Sequence, residues 1–163
     1  MAEPRAPSQP SLRGHTLALL LALVLEFLLG MWVNLFVVIP SHHPGVSPSY
    51  FAGAVGGVLW ALFAGPLFLR LHVVLGLLLG LMGLSHLART LAAPPPRRLG
   101  WSIVGLFGLL GGAGNGASFL NYGHDFSSML MSVGFALALV GYGMSIGSSG
   151  GPGVRARGDA PYA

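Results

Sequence analysis

The sequence predicts an all-α protein: a polytopic membrane four-helix bundle with N- and C-termini cytoplasmic. Three observations carry this expectation. The 163-residue chain is 53% hydrophobic and 7% charged, with a mean hydropathy of +0.75; soluble domains carry about a quarter charged residues, and here too little polar surface exists to cover a soluble core. Four apolar runs are each long enough to cross a bilayer as helices. With the N-terminus inside, Arg5, Arg13, Arg89, Arg97, Arg98, Arg155 and Arg157 all become cytoplasmic, leaving Arg70 alone near the outer face.

Residues 1–15, proline-rich and carrying two arginines, read as a disordered cytoplasmic tail. The transmembrane domain follows over 16–146, and its first helix occupies 16–39. A cleaved signal peptide is the rival for that run. The run is too long for one, contains Glu26 and lacks a small-x-small site at its end, so it is read as a helix that stays.

PSHHPGVSPS at 40–49 has three prolines and ends the helix as a loop. The apolar segment 50–64, YFAGAVGGVLWALFA, is too short to span; it reads as interfacial or re-entrant, a setting that suits Tyr50, Phe51 and Trp60. Were it a fifth span, Arg97 and Arg98 would move to the side opposite the N-terminal tail. Gly65-Pro66 then opens the second spanning helix, 66–92.

APPPRRLG at 93–100 is a tight turn, and the third helix runs over 101–119. Its Gly105, Gly108, Gly112 and Gly116 recur at three- and four-residue steps and make a small-residue face for close helix contact. NYGHDFSS turns the chain into the fourth helix, 127–146. Residues 147–163 read as a second disordered cytoplasmic tail.

Composition also excludes function classes. No cysteine occurs, so disulfides, thiolate metal sites and cysteine nucleophiles are ruled out. The basic pI of about 10.4 would suggest nucleic acid in a soluble chain. Here the few charges sit in short loops and tails, where they meet lipid headgroups, so the bilayer and not nucleic acid is the expected partner. Every basic residue is Arg, and Gly, Ala and Leu abound, a composition pointing to a bacterium with a GC-rich genome and hence to the bacterial cytoplasmic membrane.

Polar chemistry concentrates on a few positions. His72 and His86 lie fourteen residues apart on the second spanning helix, within about 40° of the same face and about 21 Å apart along its axis. Gly76, Leu79 and Gly83 share that face, the glycines leaving room for something flat. Glu26, near the midplane, is the one acid inside an apolar run; such a group is expected to be protonated, hydrogen-bonded or turned into the bundle, and it marks a functional candidate.

A b-type haem needs axial ligands pointing from a helix into a bundle. His124, Met129 and Met131 are the candidate opposite ligands for His72, and a symmetric dimer pairing each histidine with its copy is the alternative. Counting from the helix centres puts His72, Asn34 and Asn115 at similar depth in the outer half, with Asn121 nearer the surface, an outer-leaflet polar cluster. The plainer reading of both helix histidines is burial with hydrogen bonds to neighbours. His42-His43, with His124 and Asp125, is a candidate transition-metal set, set against a plain solvated loop. GGAGNG near residue 111 lacks the Lys-Ser/Thr ending of a phosphate loop. No Ser-His-Asp arrangement is present, and catalysis is not expected.

The fourteen-residue histidine spacing resembles the helices of two-haem cytochromes b. LEFLLGMWVNLFV followed by LRLHVVLGLL resembles one four-helix half of the haem A synthase family, Glu26 and His72 being the matching positions. What that resemblance implies is the bundle shape and a pocket for haem. Three functions follow as expectations. The first is an accessory or structural membrane subunit whose glycine faces pack against a larger complex or a homo-oligomeric copy. The second is a redox or haem-handling protein binding haem b through His72 with Glu26 nearby. The third is a small transporter or channel along Glu26, Asn34, Asn115 and His72.

Overall fold

The computed structural model describes residues 11–92 and 96–148, with backbone alone at 96 and 97. The tails 1–10 and 149–163 and the turn at 93–95 lie outside the described residues. Among those described, five helices and no strand occur: α1 (Leu12–Phe36), α2 (Tyr50–Phe63), α3 (Leu67–Leu91), α4 (Pro96–Tyr122) and α5 (Asp125–Gly147). Four of them, all but α2, are long and apolar enough to cross a membrane.

Helix ends differ from the sequence expectation for identifiable reasons. α1 starts at Leu12 rather than 16, because Ser11 caps it: its hydroxyl accepts a hydrogen bond from the Gly14 amide at 3.2 Å. Part of the expected tail is therefore helix. α4 begins at Pro96, so the second half of the expected 93–100 turn is helical. Proline suits a first helical position, its missing N–H being one that a helix start leaves unpaired anyway. α4 also runs on to Tyr122, where Gly123 adopts φ +65° and turns the chain into α5.

The four long helices close a ring: α1 packs on α3, α3 on α4, α4 on α5, and α5 back on α1. Neighbours are antiparallel. His15 and Thr16 of α1 meet Met82 and His86 of α3, and Thr90 of α3 meets Ser102 of α4. Arg13, Arg89 and Arg98 thus share one end, the arginine end, while Arg70 stands at the other with α2. Large apolar side chains face outward, Leu21 at 72% exposure and Leu28 at 58%, an arrangement suited to lipid and not to water.

Glycine sets the tightest contact. A Cβ on Gly108 of α4 would stand 2.5 Å from the Ala138 amide nitrogen and 2.6 Å from the Gly134 carbonyl oxygen of α5. A Cβ on Gly134 would stand 2.6 Å from the Gly112 nitrogen, and one on Gly141 would run into the backbone of Gly105. The predicted small-residue face of the third spanning helix is thus spent on its own neighbour, backbone against backbone. Leu19, Leu23, Leu79, Ala138 and Tyr142 form a buried apolar layer across the middle of the ring.

α2 lies against α3 and α4 at the end opposite the arginines, its Ala61 sharing a buried apolar cluster with Val33, Leu69 and Leu120. The 40–49 loop is latched onto it. Gly45 and Gly56 meet backbone to backbone. His43 is 4% exposed and stacks on Trp60 with centroids 4.0 Å apart. Its Nε2 donates to the Leu120 carbonyl at 2.9 Å and its Nδ1 accepts from the Gly45 amide at 3.1 Å, which fixes the tautomer. Asn121 binds both backbone groups of Ser47, accepting from its N–H at 2.9 Å and donating to its carbonyl at 3.0 Å. Asn121→Ala leaves both Ser47 groups unpaired and is expected to cost about 1–3 kcal/mol. The check is the thermal midpoint of the detergent-solubilised protein; an unchanged value would mean the loop is held elsewhere.

A candidate ligand cavity between four helices

Between the apolar layer and the α2 end, the ring encloses a cavity of about 620 Å³ to which all four long helices contribute. That volume lies within the range of about 300–1,000 Å³ in which small molecules and cofactors bind. Its floor is Leu23 and Leu79, and its mouth is formed by residues 39–41 with Tyr122 and Gly123. Gly30, Gly76, Gly112 and Gly116 all line it, and the first two and the last leave the places that His72, Glu26 and Met131 occupy on its wall.

Glu26 and His72 meet on its wall. Nδ1 of His72 lies 3.0 Å from Oε1 of Glu26, the side chains being 25% and 15% exposed. The contact is out of line for a hydrogen bond, and Nδ1 of His72 and Oε2 of Glu26 are both buried polar atoms without a hydrogen-bond partner. The pair is seated on reciprocal gaps. A Cβ on Gly30 would stand 3.1 Å from Cε1 of His72, and a Cβ on Gly76 2.9 Å from Oε1 of Glu26. Each functional side chain of α1 or α3 thus fills the place left by a glycine one turn beyond its partner on the other helix.

Of the residues singled out from the sequence, Glu26, His72, Met131 and Asn34 line the cavity together. Met131 enters from α5, across the ring from α3, and its sulfur would stand 3.1 Å from a Cβ on Gly116. Asn121 reaches the mouth, but its amide is spent on Ser47. Asn115 does not line the cavity; it donates to the Gly111 carbonyl of its own helix at 2.8 Å. His124 is exposed at the N-cap of α5 beside the Tyr122 ring and does not line the cavity either.

His86 points into the bundle as expected from its shared face with His72, but at the arginine end, beyond the apolar layer. It is fully buried. Thr16 gives its proton to the Leu12 carbonyl at 2.8 Å, so Nε2 of His86 is the donor to the Thr16 hydroxyl at 2.9 Å. Thr90 stands 3.5 Å from Nδ1, and the rings of His15 and Tyr142 pack against the imidazole. This is a packed, hydrogen-bonded histidine. Gly83, expected to leave room for something flat, instead admits the Tyr142 hydroxyl, which a Cβ there would meet at 2.7 Å.

No protein-family model, curated protein or solved structure matches the chain. The site must therefore be read from its own chemistry. Among the described residues no group of three or more metal-ligating side chains comes together. His43, expected in a solvated loop, is buried with both ring nitrogens engaged by backbone. The sequence reading missed the partnership of Gly30 with His72. Its signal is the same spacing on two helices, Glu26 four before Gly30 and His72 four before Gly76, which becomes reciprocal once α1 and α3 run antiparallel.

Proposed function

We propose that this chain is a multi-pass protein of the bacterial cytoplasmic membrane that binds a b-type haem in the cavity, with His72 as iron ligand. The observation that carries the reading is the imidazole–carboxylate pair on the wall of a glycine-lined cavity inside an apolar bundle. Ligating histidines characteristically present their second ring nitrogen to a carboxylate or carbonyl, which orients the ring and raises its basicity. Glu26 stands 3.0 Å from Nδ1 of His72, near enough to accept that bond once the ring turns into line, and Nε2, which makes no hydrogen bond among the described residues, is left for the iron. Met131 enters the same space from α5 and offers a thioether, a known axial partner of histidine. Haem bound there supplies one-electron chemistry; the protein orients it and keeps water out. The resemblance of Glu26 and His72 to haem A synthase positions agrees with this pocket.

The positive-inside rule puts the end bearing Arg13, Arg89 and Arg98 in the cytoplasm, and so the cavity in the outer half of the membrane. Two other readings weaken on the same geometry. Much of the glycine face that suggested a partner complex is occupied within the chain by α5. A conducting path from Glu26 towards the arginine end meets the buried layer of Leu19, Leu23, Leu79 and Tyr142. The test is the visible spectrum of the detergent-purified protein expressed with ample haem supply, oxidised and dithionite-reduced. A Soret band with sharp reduced bands is expected; a featureless spectrum removes the reading.

A further inference from the structure

A ring of four helices has four seams, and their closure in the cavity half is unequal. The α4–α5 seam is closed by glycine backbone contact from Gly105 to Gly112 and, beyond it, by the Met131 side chain against Gly116. The α1–α3 seam is closed by the reciprocal seating of Glu26 and His72. α2 packs on both α3 and α4 and so covers the third seam, its Ala61 sharing a buried cluster with Leu69 and Leu120.

The α1–α5 seam has no such cover. It is bridged outward of the apolar layer by the stacked rings of Phe27 and Phe135, 5.0 Å between centroids. Beyond that stack the two helices form opposite walls of the cavity, Met31 on α1 and Ser132 on α5 standing at about the same level. Phe27 and Met31 are 45% and 40% exposed, and both line the cavity. The 40–49 loop is latched to α2 and α4, away from this side.

We infer that the ligand reaches the cavity sideways from the bilayer, through the slot between α1 and α5 above the Phe27–Phe135 stack. The inference rests on the proposed haem site for the identity of the ligand, but not for the existence of the slot. It makes the ligand a planar amphiphile held in the outer leaflet, its apolar ring among the acyl chains and its carboxylates at the headgroups, taken from there instead of from water at the mouth. The stack is the lower sill of the opening, and the wall residues there are small or flexible.

Because the chain contains no cysteine, Met31→Cys/Ser132→Cys introduces a unique thiol pair across the slot. The protein is prepared without haem in lipid nanodiscs, bridged with a bis-methanethiosulfonate reagent, and mixed with hemin. Bridging is expected to slow hemin uptake by about an order of magnitude or more, with a reductant restoring the rate and haem bound beforehand retained. Equal uptake by bridged and unbridged protein overturns lateral entry and leaves the haem site standing. Should the unbridged protein take up no hemin, it is the haem reading that fails. The slot is then read directly with single Ser132→Cys: faster labelling by a pyrene maleimide dissolved in the bilayer than by a charged aqueous thiosulfonate supports it. The reverse preference overturns it.

Discussion

Gly108→Ala is expected to destabilise the bundle by about 1–3 kcal/mol, and Gly108→Leu to prevent its assembly altogether. The new Cβ would stand 2.5 Å from the Ala138 nitrogen and 2.6 Å from the Gly134 oxygen. Both are backbone atoms of α5, so no rotamer change relieves the clash and the helices must move apart. Separating them forfeits dispersion contact along the α4–α5 seam, the main term holding apolar helices together in lipid. Helix propensity opposes this loss by up to about 1 kcal/mol, since alanine is the better helix former.

Gly112, one turn further, supplies the control. A Cβ there finds nothing nearer than the Met131 carbonyl oxygen at 3.6 Å, ordinary contact. Gly112→Ala should therefore be neutral or slightly stabilising, the propensity term now being unopposed. Thermal midpoints in one detergent decide the matter. Equal behaviour of the two alanine variants would mean that α4 and α5 do not approach as closely as described.

The same seam illustrates how far the sequence could be read. Four apolar runs and their arginines sufficed for the bundle, because hydrophobic length and charge asymmetry act on each segment separately. Glycines at three- and four-residue steps identified a contact face on α4. They could not say whose surface it meets, since a small-residue face is equally suited to Gly134 and Gly141 of the same chain or to a partner. Local capping carries boundary information too: Ser11 and Pro96 are ordinary start signals, but each stands beside a proline-rich stretch whose composition suits a tail or a turn.

The cavity was legible in part. His72 and Glu26 stood out because ionisable groups are rare in apolar runs. Their meeting depends on the rotation of two helices about their own axes, which periodicity leaves open to within a face. His86 and His43 show the opposite case. The same imidazole chemistry serves there as a hydrogen-bonding core element, and the partners that settle this are a threonine hydroxyl seventy residues away and a helix-end carbonyl. Distant polar partners of this kind have no local signature.

The environments of His72 and His86 give the largest functional contrast. His72→Ala removes a ring that rests on Gly30 and borders existing empty space, so it should cost little stability, about 1 kcal/mol. It is expected to abolish the haem spectrum. His86→Ala should do the reverse. It opens a void in a fully buried, tightly packed site and leaves the Thr16 hydroxyl without its ring donor, at about 2–4 kcal/mol. The haem bands should survive in whatever protein remains folded. His72→Gly offers a further discrimination, since added imidazole can occupy the vacated space and restore the iron ligand. Recovery of the reduced bands with imidazole identifies His72 as a ligand and not merely a wall of the cavity. A His72→Ala variant with an unaltered spectrum would move the haem, if bound, elsewhere in the bundle, and Glu26 would lose the partner that gives it a role.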